Sequence, residues 1–264
     1  MSGTGSAAVP SRVPAGRGWR WIVAAWTLTA AQRPLFVALV LGLMVAAIAV
    51  SLVPLVGSIA TGLLTPVLQA GLVIGCDALR RGEPLKVDHL FAGFEQHTGR
   101  LVGLGAVSVL AGLVMLIVGA AIVGPQALGT LLSGAPPAPD ALAGTFLRML
   151  LAMLVMLALS LPLYMALWFA VPLIALRGLD VGAAMSASFA GCLRNMPAFL
   201  VWSVAVLAIA LVAFLPFFAA VALHLGVMAI LVGTLPCIVG GVALAALWFA
   251  SMYTSYRDVF GATD

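Results

Sequence analysis

Long apolar stretches alternate with short polar segments along this chain. The interiors of these stretches lack charged side chains, and most reach the roughly 20 residues that an α-helix needs to cross the hydrocarbon of a bilayer. Soluble helices average only about 11 to 12 residues. The pattern therefore predicts six transmembrane helices, over residues 35–53, 59–78, 101–123, 149–176, 197–220 and 230–253.

The composition excludes a water-soluble protein. Of 264 residues, 64% are hydrophobic and 8% are charged, whereas soluble domains carry about 25% charged residues. We therefore predict an all-α membrane protein with one polytopic domain over residues 19–257. Residues 1–18, rich in Ser, Gly, Pro and Ala, are predicted to form a disordered cytoplasmic tail, and residues 258–264 a second cytoplasmic tail.

The basic residues indicate the orientation. On the predicted map almost all of them fall on one side of the membrane, and Arg148 falls on the other. Basic loops stay in the cytoplasm, so both termini are predicted to be cytoplasmic, in a multi-pass protein of a bacterial inner membrane. The net charge of +4 is spread singly or in pairs between the spans and does not form the dense patch expected of a nucleic-acid-binding protein.

Three amphipathic segments, at residues 19–34, 87–100 and 181–197, each lead into an odd-numbered span. Aromatic and arginine side chains on such segments suit the membrane interface, which predicts three interfacial helices on the cytoplasmic side. Each helix with its following hairpin could be one of three repeats; the alternative is that amphipathic connectors occur in any multi-span protein. The candidate contacts with lipid headgroups or a partner are Trp19, Arg20, Trp26, Arg33, Arg81, Phe94, Arg100, Phe189 and Arg194.

Few side chains offer chemistry. Gln69, close to Pro66, is the polar side chain within a span that we single out for contact with a solute. His89 and His97 are eight residues apart, whereas a helical pair of metal ligands needs a spacing of three or four. The chain also lacks a P-loop, a dinucleotide-binding glycine motif and a nucleophile with a matching base. We expect a non-enzymatic protein without a cofactor or metal.

Several segments resemble a known family. The N-terminal SRVPAGRGWRWI, the run LTPVLQAGLVIGCDALRRGEPL leading into HLFAGF, and the closing YRDVF together resemble an uncharacterised family of proteobacterial polytopic inner-membrane proteins. That family is distantly similar to YciC-type proteins and to the membrane-anchor domain beside some glycerophosphodiester phosphodiesterases. The resemblance implies a helical protein of the Gram-negative inner membrane, and it supplies no catalytic residues.

The leading functional hypothesis is a non-enzymatic membrane protein whose interfacial helices contact membrane lipid or a protein partner in envelope organisation or assembly. The first alternative is a small-solute transporter or channel, because prolines interrupt the spans and broken helices often surround binding sites. The second alternative is an accessory subunit of a membrane complex. A homo-oligomer is also compatible with the sequence, and no nucleic-acid partner is expected.

Overall fold

The structure, a computed structural model, describes residues 9–53, 56–125, 129, 142–223 and 226–261. Within these ranges six helical segments are long and apolar enough to cross a membrane, which confirms the predicted all-α membrane fold. The helices are α1 Arg17–Leu28, α2 Arg33–Ser51, α3 Val56–Arg80, α4 Thr98–Val123, α5 Leu142–Trp168, α6 Ala170–Arg177, α7 Val181–Arg194, α8 Met196–Ala222 and α9 Gly226–Phe260, with 3-10 helices at Ala30–Gln32 and Val87–Phe94.

The spanning helices form three hairpins: α2 with α3, α4 with α5 and α6, and α8 with α9. The helices α3, α6 and α9 meet inside the bundle, because α3 contacts both α6 and α9 and α6 is joined to α9 by a hydrogen bond from Arg177 to Tyr256. In the most apolar stretch of each span, 44% of the residues are buried in Val56–Arg80 and 28% in Pro236–Phe260, but 6% in Gly144–Arg177 and none in α4. α4 and α5 therefore present most of their apolar side chains outward, as a lipid-facing surface requires.

The predicted fourth span, 149–176, is divided into α5 and α6 at Phe169. Pro172 lacks the N–H that would bond the carbonyl of Trp168, and its ring crowds that carbonyl, so the helix is interrupted one turn earlier. Ser188 of α7 forms hydrogen bonds with two backbone groups at this break. Its hydroxyl accepts a hydrogen bond from the Phe169 N–H at 2.9 Å and donates one to the Met165 carbonyl at 2.7 Å.

The short helices occupy the predicted amphipathic segments. The 3-10 helix Val87–Phe94 packs on α3, α7 packs on α5 and α6, and α1 packs on α9 and α8. Each short helix thus lies against the second arm of a hairpin that precedes it, and α1 lies against the last hairpin of the chain. The order of elements has the predicted threefold form. The origin of that order in a sequence repeat stays a prediction.

The prediction of a disordered tail over residues 1–18 is wrong for its described part. The Ser11 N–H donates to the Val259 carbonyl at 2.8 Å, and the Val13 N–H donates to the Asn195 Oδ1 at 2.8 Å. α1 then begins at Arg17. Residues 9–16 are therefore fixed by partners about 180 to 250 positions away, which the local composition does not reveal. Residues 1–8 lie outside the described part of the chain.

The predicted C-terminal tail also begins inside the protein. α9 continues to Phe260, and Val259 and Phe260 are almost fully buried. The Phe260 ring packs edge-on against Phe169, with 5.2 Å between centroids. A tail beyond the bundle can therefore start only after residue 260, and residues 262–264 lie outside the described part.

Candidate functional site

The second arms of the three hairpins end together, and each brings arginine to that end. Arg80 is the last residue of α3 and Arg81 follows it. Arg177 is the last residue of α6, and Arg257 lies in the last turn of α9. Cations are favourable at helix C-termini because the terminal carbonyls carry partial negative charge. We call this region the arginine-rich end. The N-terminal segment also lies here, through the bond between Ser11 and Val259.

A hydrogen-bonded cluster joins α3 to α9. The Tyr253 hydroxyl donates to Asp77 Oδ1 at 2.7 Å and accepts from Arg80 Nε at 2.9 Å. Asp77 also pairs with Arg80 at 3.4 Å and with Arg81 at 3.2 Å. One carboxylate is thus shared between two guanidinium groups, and the tyrosine holds both in place relative to α9.

A second cluster fixes α1 to the end of α9. Arg17 forms a bidentate ion pair with Asp258, and the indole N–H of Trp21 donates to the same carboxylate at 2.8 Å. The hydrogen bond to Asp258 raises the pKa of Arg17 above its ordinary value, so Arg17 stays charged at physiological pH. Trp21 itself is 2% exposed and anchors the inner face of α1.

A third cluster lies between α6 and α9. Arg177 Nε donates to the Tyr256 hydroxyl at 3.0 Å, and its Nη2 donates to the Phe260 carbonyl. These acceptors are neutral, and they orient the guanidinium without a carboxylate. Tyr256 is 3% exposed, so its position is fixed by packing.

An open groove of about 930 Å³ runs between α1 and α9. One part of its wall is apolar, with Trp19, Val23 and Leu28 of α1, and another part is basic, with Arg20 of α1 and Arg257 of α9. We call it the α1–α9 groove. An apolar wall beside guanidinium groups matches a molecule with an apolar tail and an anionic head.

A smaller cavity of about 360 Å³ lies on the other side of Arg80 and Arg257, which line both spaces. We call it the arginine cavity. Arg80, Arg81, Arg177 and Arg257 line it together with a single carboxylate, Asp77. Arginine predominates among the described lining residues, although Arg81 also pairs with Glu83 at 3.2 Å, so the lining favours an anion.

The structure places the sequence-predicted residues of the first segment at this end. Trp19 and Arg20 line the α1–α9 groove. Trp26 and Arg33 are brought together, with the guanidinium carbon 3.6 Å from the ring centroid and Arg33 Nη2 donating to the Trp26 carbonyl at 2.8 Å. Trp19 and Trp26 are about half exposed, as expected for interfacial aromatics.

The remaining predicted residues are distributed more widely. Arg81 lines the arginine cavity, while Arg100 pairs with Asp180 at 3.0 Å and also donates to the Gly178 carbonyl. Phe94, Phe189 and Arg194 are exposed on or beside the short helices. Gln69 is half-buried on α3 and belongs to neither the groove nor the cavity.

Apart from Arg81, the residues that make the clusters were missed by the sequence reasoning, which chose aromatics and arginines. Tyr253, Tyr256 and Arg257 are spaced by three and four, as are Asp77, Arg80 and Arg81, and this spacing places each set on one helix face. This spacing was therefore a signal in the sequence for each set. It does not indicate which helix faces contact each other. Notably, three segments that carry the family resemblance (SRVPAGRGWRWI, CDALRR and YRDVF) converge here.

The comparisons with known proteins agree with this architecture. The chain is 30% identical over 247 residues to a probable inner membrane protein of Burkholderia thailandensis, covering 88% of this chain and 87% of that protein. The chain belongs to this family of inner membrane proteins. With six candidate spans, this family member is a multi-pass inner membrane protein. No family model and no solved structure matches the chain.

Proposed function

We propose that this protein is a non-enzymatic inner membrane protein that binds anionic phospholipid at its arginine-rich end. The main support for this proposal is the α1–α9 groove, which has a volume of about 930 Å³. Its lining combines the exposed Trp19 and the apolar Val23 with Arg20 and Arg257. A phospholipid has this amphipathic form, with an acyl chain for the apolar wall and a phosphate for the guanidinium groups. Each basic residue close to an anionic membrane surface contributes about 1 kcal/mol of attraction.

The short helices support an interfacial placement of this end. Trp26, Phe94 and Phe189 stand on three different short helices, and all three are more than a third exposed. On helices that lie in the membrane interface, Trp and Phe form the apolar face that enters the boundary between headgroups and acyl chains. The three aromatics would therefore hold the arginine-rich end at the depth of the lipid phosphates.

The proposed orientation puts this end and both termini in the cytoplasm. The positive-inside rule supports this orientation, because arginine is concentrated at the arginine-rich end. Arg148 lies at the opposite end, where α4 ends and α5 begins and where its guanidinium approaches Gly124. The finer resemblance to YciC-type proteins and to the anchor domain of glycerophosphodiester phosphodiesterases is compatible with a role at the lipid surface. A contribution to envelope organisation, through lipid, a protein partner or a second copy, belongs to the same proposal.

The transporter alternative was motivated by prolines that interrupt the spans. Pro66, Pro162, Pro216 and Pro236 lie inside continuous helices. Near Pro172 the helix is broken, and Ser188 bonds two of the backbone groups there, the Phe169 N–H and the Met165 carbonyl. Of these five prolines, Pro172 therefore supplies the one broken helix on which the transporter alternative can draw.

Lipid preference tests the proposal directly. The protein would be placed in phosphatidylcholine nanodiscs that contain a small fraction of either brominated phosphatidylglycerol or brominated phosphatidylcholine, and quenching of tryptophan fluorescence would be measured. We expect stronger quenching by the anionic lipid, weakened by added salt because exposed charges are screened. Equal quenching by the two lipids would overturn the proposal.

Charge reversals locate the contact. Arg20→Glu removes a basic group from the α1–α9 groove, and we expect it to reduce the preference for phosphatidylglycerol by about fivefold, the equivalent of about 1 kcal/mol. Arg148→Glu is the matched control, because this exposed arginine lies at the opposite end. An equal effect of both substitutions would contradict binding at the groove.

A further inference from the structure

The arginine cavity differs from the groove in shape and in lining. Its walls come from α3, α6, α9 and the segment before α4, where Gln96 lies. Each hairpin contributes the end of its second arm, so the cavity lies at the junction of the three hairpins. Its volume of about 360 Å³ is at the small end of the range of ligand pockets, which suits a headgroup-sized or smaller ligand.

Arginine outnumbers carboxylate among the described residues that line the cavity. Asp77 is the one carboxylate among them, and it already serves Arg80, Arg81 and the Tyr253 hydroxyl, while Arg81 also pairs with Glu83 at 3.2 Å. Arg177 has neutral oxygens as hydrogen-bond acceptors, from Tyr256 and Phe260. Guanidinium groups that face one space repel one another, and an anion between them would convert that repulsion into attraction.

The type of cation indicates the type of anion. The cavity is lined by arginine rather than lysine, and guanidinium presents planar pairs of N–H donors that match the oxygens of phosphate. Gln96 adds an amide that can donate or accept.

We infer that the arginine cavity is a binding site for a phosphate group, at the junction of the three hairpins. A phosphomonoester lipid headgroup and a soluble phosphate compound share this chemistry. The site does not depend on lipid binding in the α1–α9 groove, because Arg81, Arg177 and Gln96 line the cavity alone.

The test uses the full chain in neutral detergent. Thermal unfolding would be followed while pyrophosphate, inorganic phosphate or short-chain phosphatidic acid is added, with chloride keeping the ionic strength constant. We expect saturable stabilisation, because a ligand that binds only the folded state raises its melting temperature. Stabilisation by phosphatidic acid alone would identify a lipid headgroup as the source, and stabilisation by pyrophosphate would identify a soluble anion.

Two substitutions place the ligand in the cavity. Arg177→Gln removes a guanidinium group, and Gln96→Glu adds a carboxylate at an exposed position that would compete with the anion for the arginines. We expect each to raise the half-saturating concentration at least tenfold. Gln96→Glu keeps the test decisive if Arg177→Gln fails to fold, because it deletes none of the hydrogen bonds that join α6 to α9.

Arg148→Gln is the control, because Arg148 is exposed at the opposite end of the bundle and lines neither space; the affinity of this variant should equal that of the native chain. The inference is overturned if no phosphate compound stabilises the protein beyond chloride, or if Gln96→Glu binds as tightly as the native chain. Because Arg20→Glu acts on the groove alone, failure of this site and failure of the lipid proposal are distinguishable.

Discussion

The hydroxyl of Tyr253 lies 2.7 Å from Asp77 Oδ1 and links the last helix of the chain to the second spanning helix. Tyr253 is 1% exposed, and its ring is fixed by the core. Asp77 in turn holds Arg80 and Arg81. The orientation of two of the four arginines of the cavity therefore depends on one phenol group contributed by a residue 176 positions away.

Tyr253→Phe should destabilise the protein by about 1 to 3 kcal/mol, because it removes the shortest hydrogen bond to the partly buried Asp77 carboxylate and the acceptor of Arg80 Nε. The measurement is thermal or denaturant unfolding in a fixed detergent. Tyr164→Phe is the control, since Tyr164 is 66% exposed on α5, and its effect should be close to zero. Equal stability of Tyr253→Phe and the native chain would contradict the structural role of this hydroxyl.

Asp258→Asn should release the N-terminal segment. The substitution removes the charge that binds Arg17 and weakens the acceptor of the Trp21 indole. Hydrogen exchange of a peptide covering residues 9–16 should become about tenfold faster, because the bonded amides of Ser11 and Val13 would open more often. Asp180→Asn, at an 80% exposed carboxylate paired with Arg100, should leave that peptide unchanged. Unchanged exchange in both variants would show that the ion pair does not hold the segment.

Ser188→Ala should lower the stability of the protein at the break between α5 and α6. It removes the partner of the Phe169 N–H and of the Met165 carbonyl, and each buried group left unbonded costs about 1 to 3 kcal/mol. Ser186→Ala on the same helix is the control, because its hydroxyl bonds only the Ala183 carbonyl of its own helix. The comparison is made by unfolding in detergent, and a Ser188→Ala protein no less stable than Ser186→Ala would refute this role.

Gly18→Ala should displace α1 from the bundle. A Cβ at this position would lie 2.0 Å from the Ala198 carbonyl oxygen and 2.8 Å from the Trp202 backbone nitrogen, so the helix has to move. Overpacking of this kind destabilises by about 1 to 3 kcal/mol. Gly42→Ala on α2, with nothing within 4 Å of its Cβ position, should be neutral or stabilise by up to about 1 kcal/mol through helix propensity. Unfolding midpoints that fall in the opposite order would contradict the close packing of α1 on α8.

The orientation is tested by reporter fusions. A fluorescent protein attached after Asp264 should fluoresce, because it would remain in the cytoplasm with the arginine-rich end. An alkaline phosphatase fused after Gly124, at the end of α4, should be active because it would be exported. The reverse pattern would overturn the cytoplasmic placement of both termini.

The sequence predicted the spanning helices well, because hydrophobic length is a local property. The ranges 59–78 and 101–123 fall within α3 and α4, and the short amphipathic segments are helical where predicted. On the first of them, packing separates Ile22 from Trp19 and Trp26. Ile22 is 5% exposed against the bundle, whereas both tryptophans face outward.

The sequence by itself determined that this chain is a membrane protein, where its spans lie and that arginine gathers at one end, since each follows from how long a stretch excludes charge. Only the tertiary structure decided that Arg17 meets Asp258, that Arg177 meets Tyr256 and that residues 9–16 are ordered. Those contacts depend on which helices are neighbours and how each is rotated about its axis. Apolar faces that all suit lipid leave that choice to packing between distant parts of the chain.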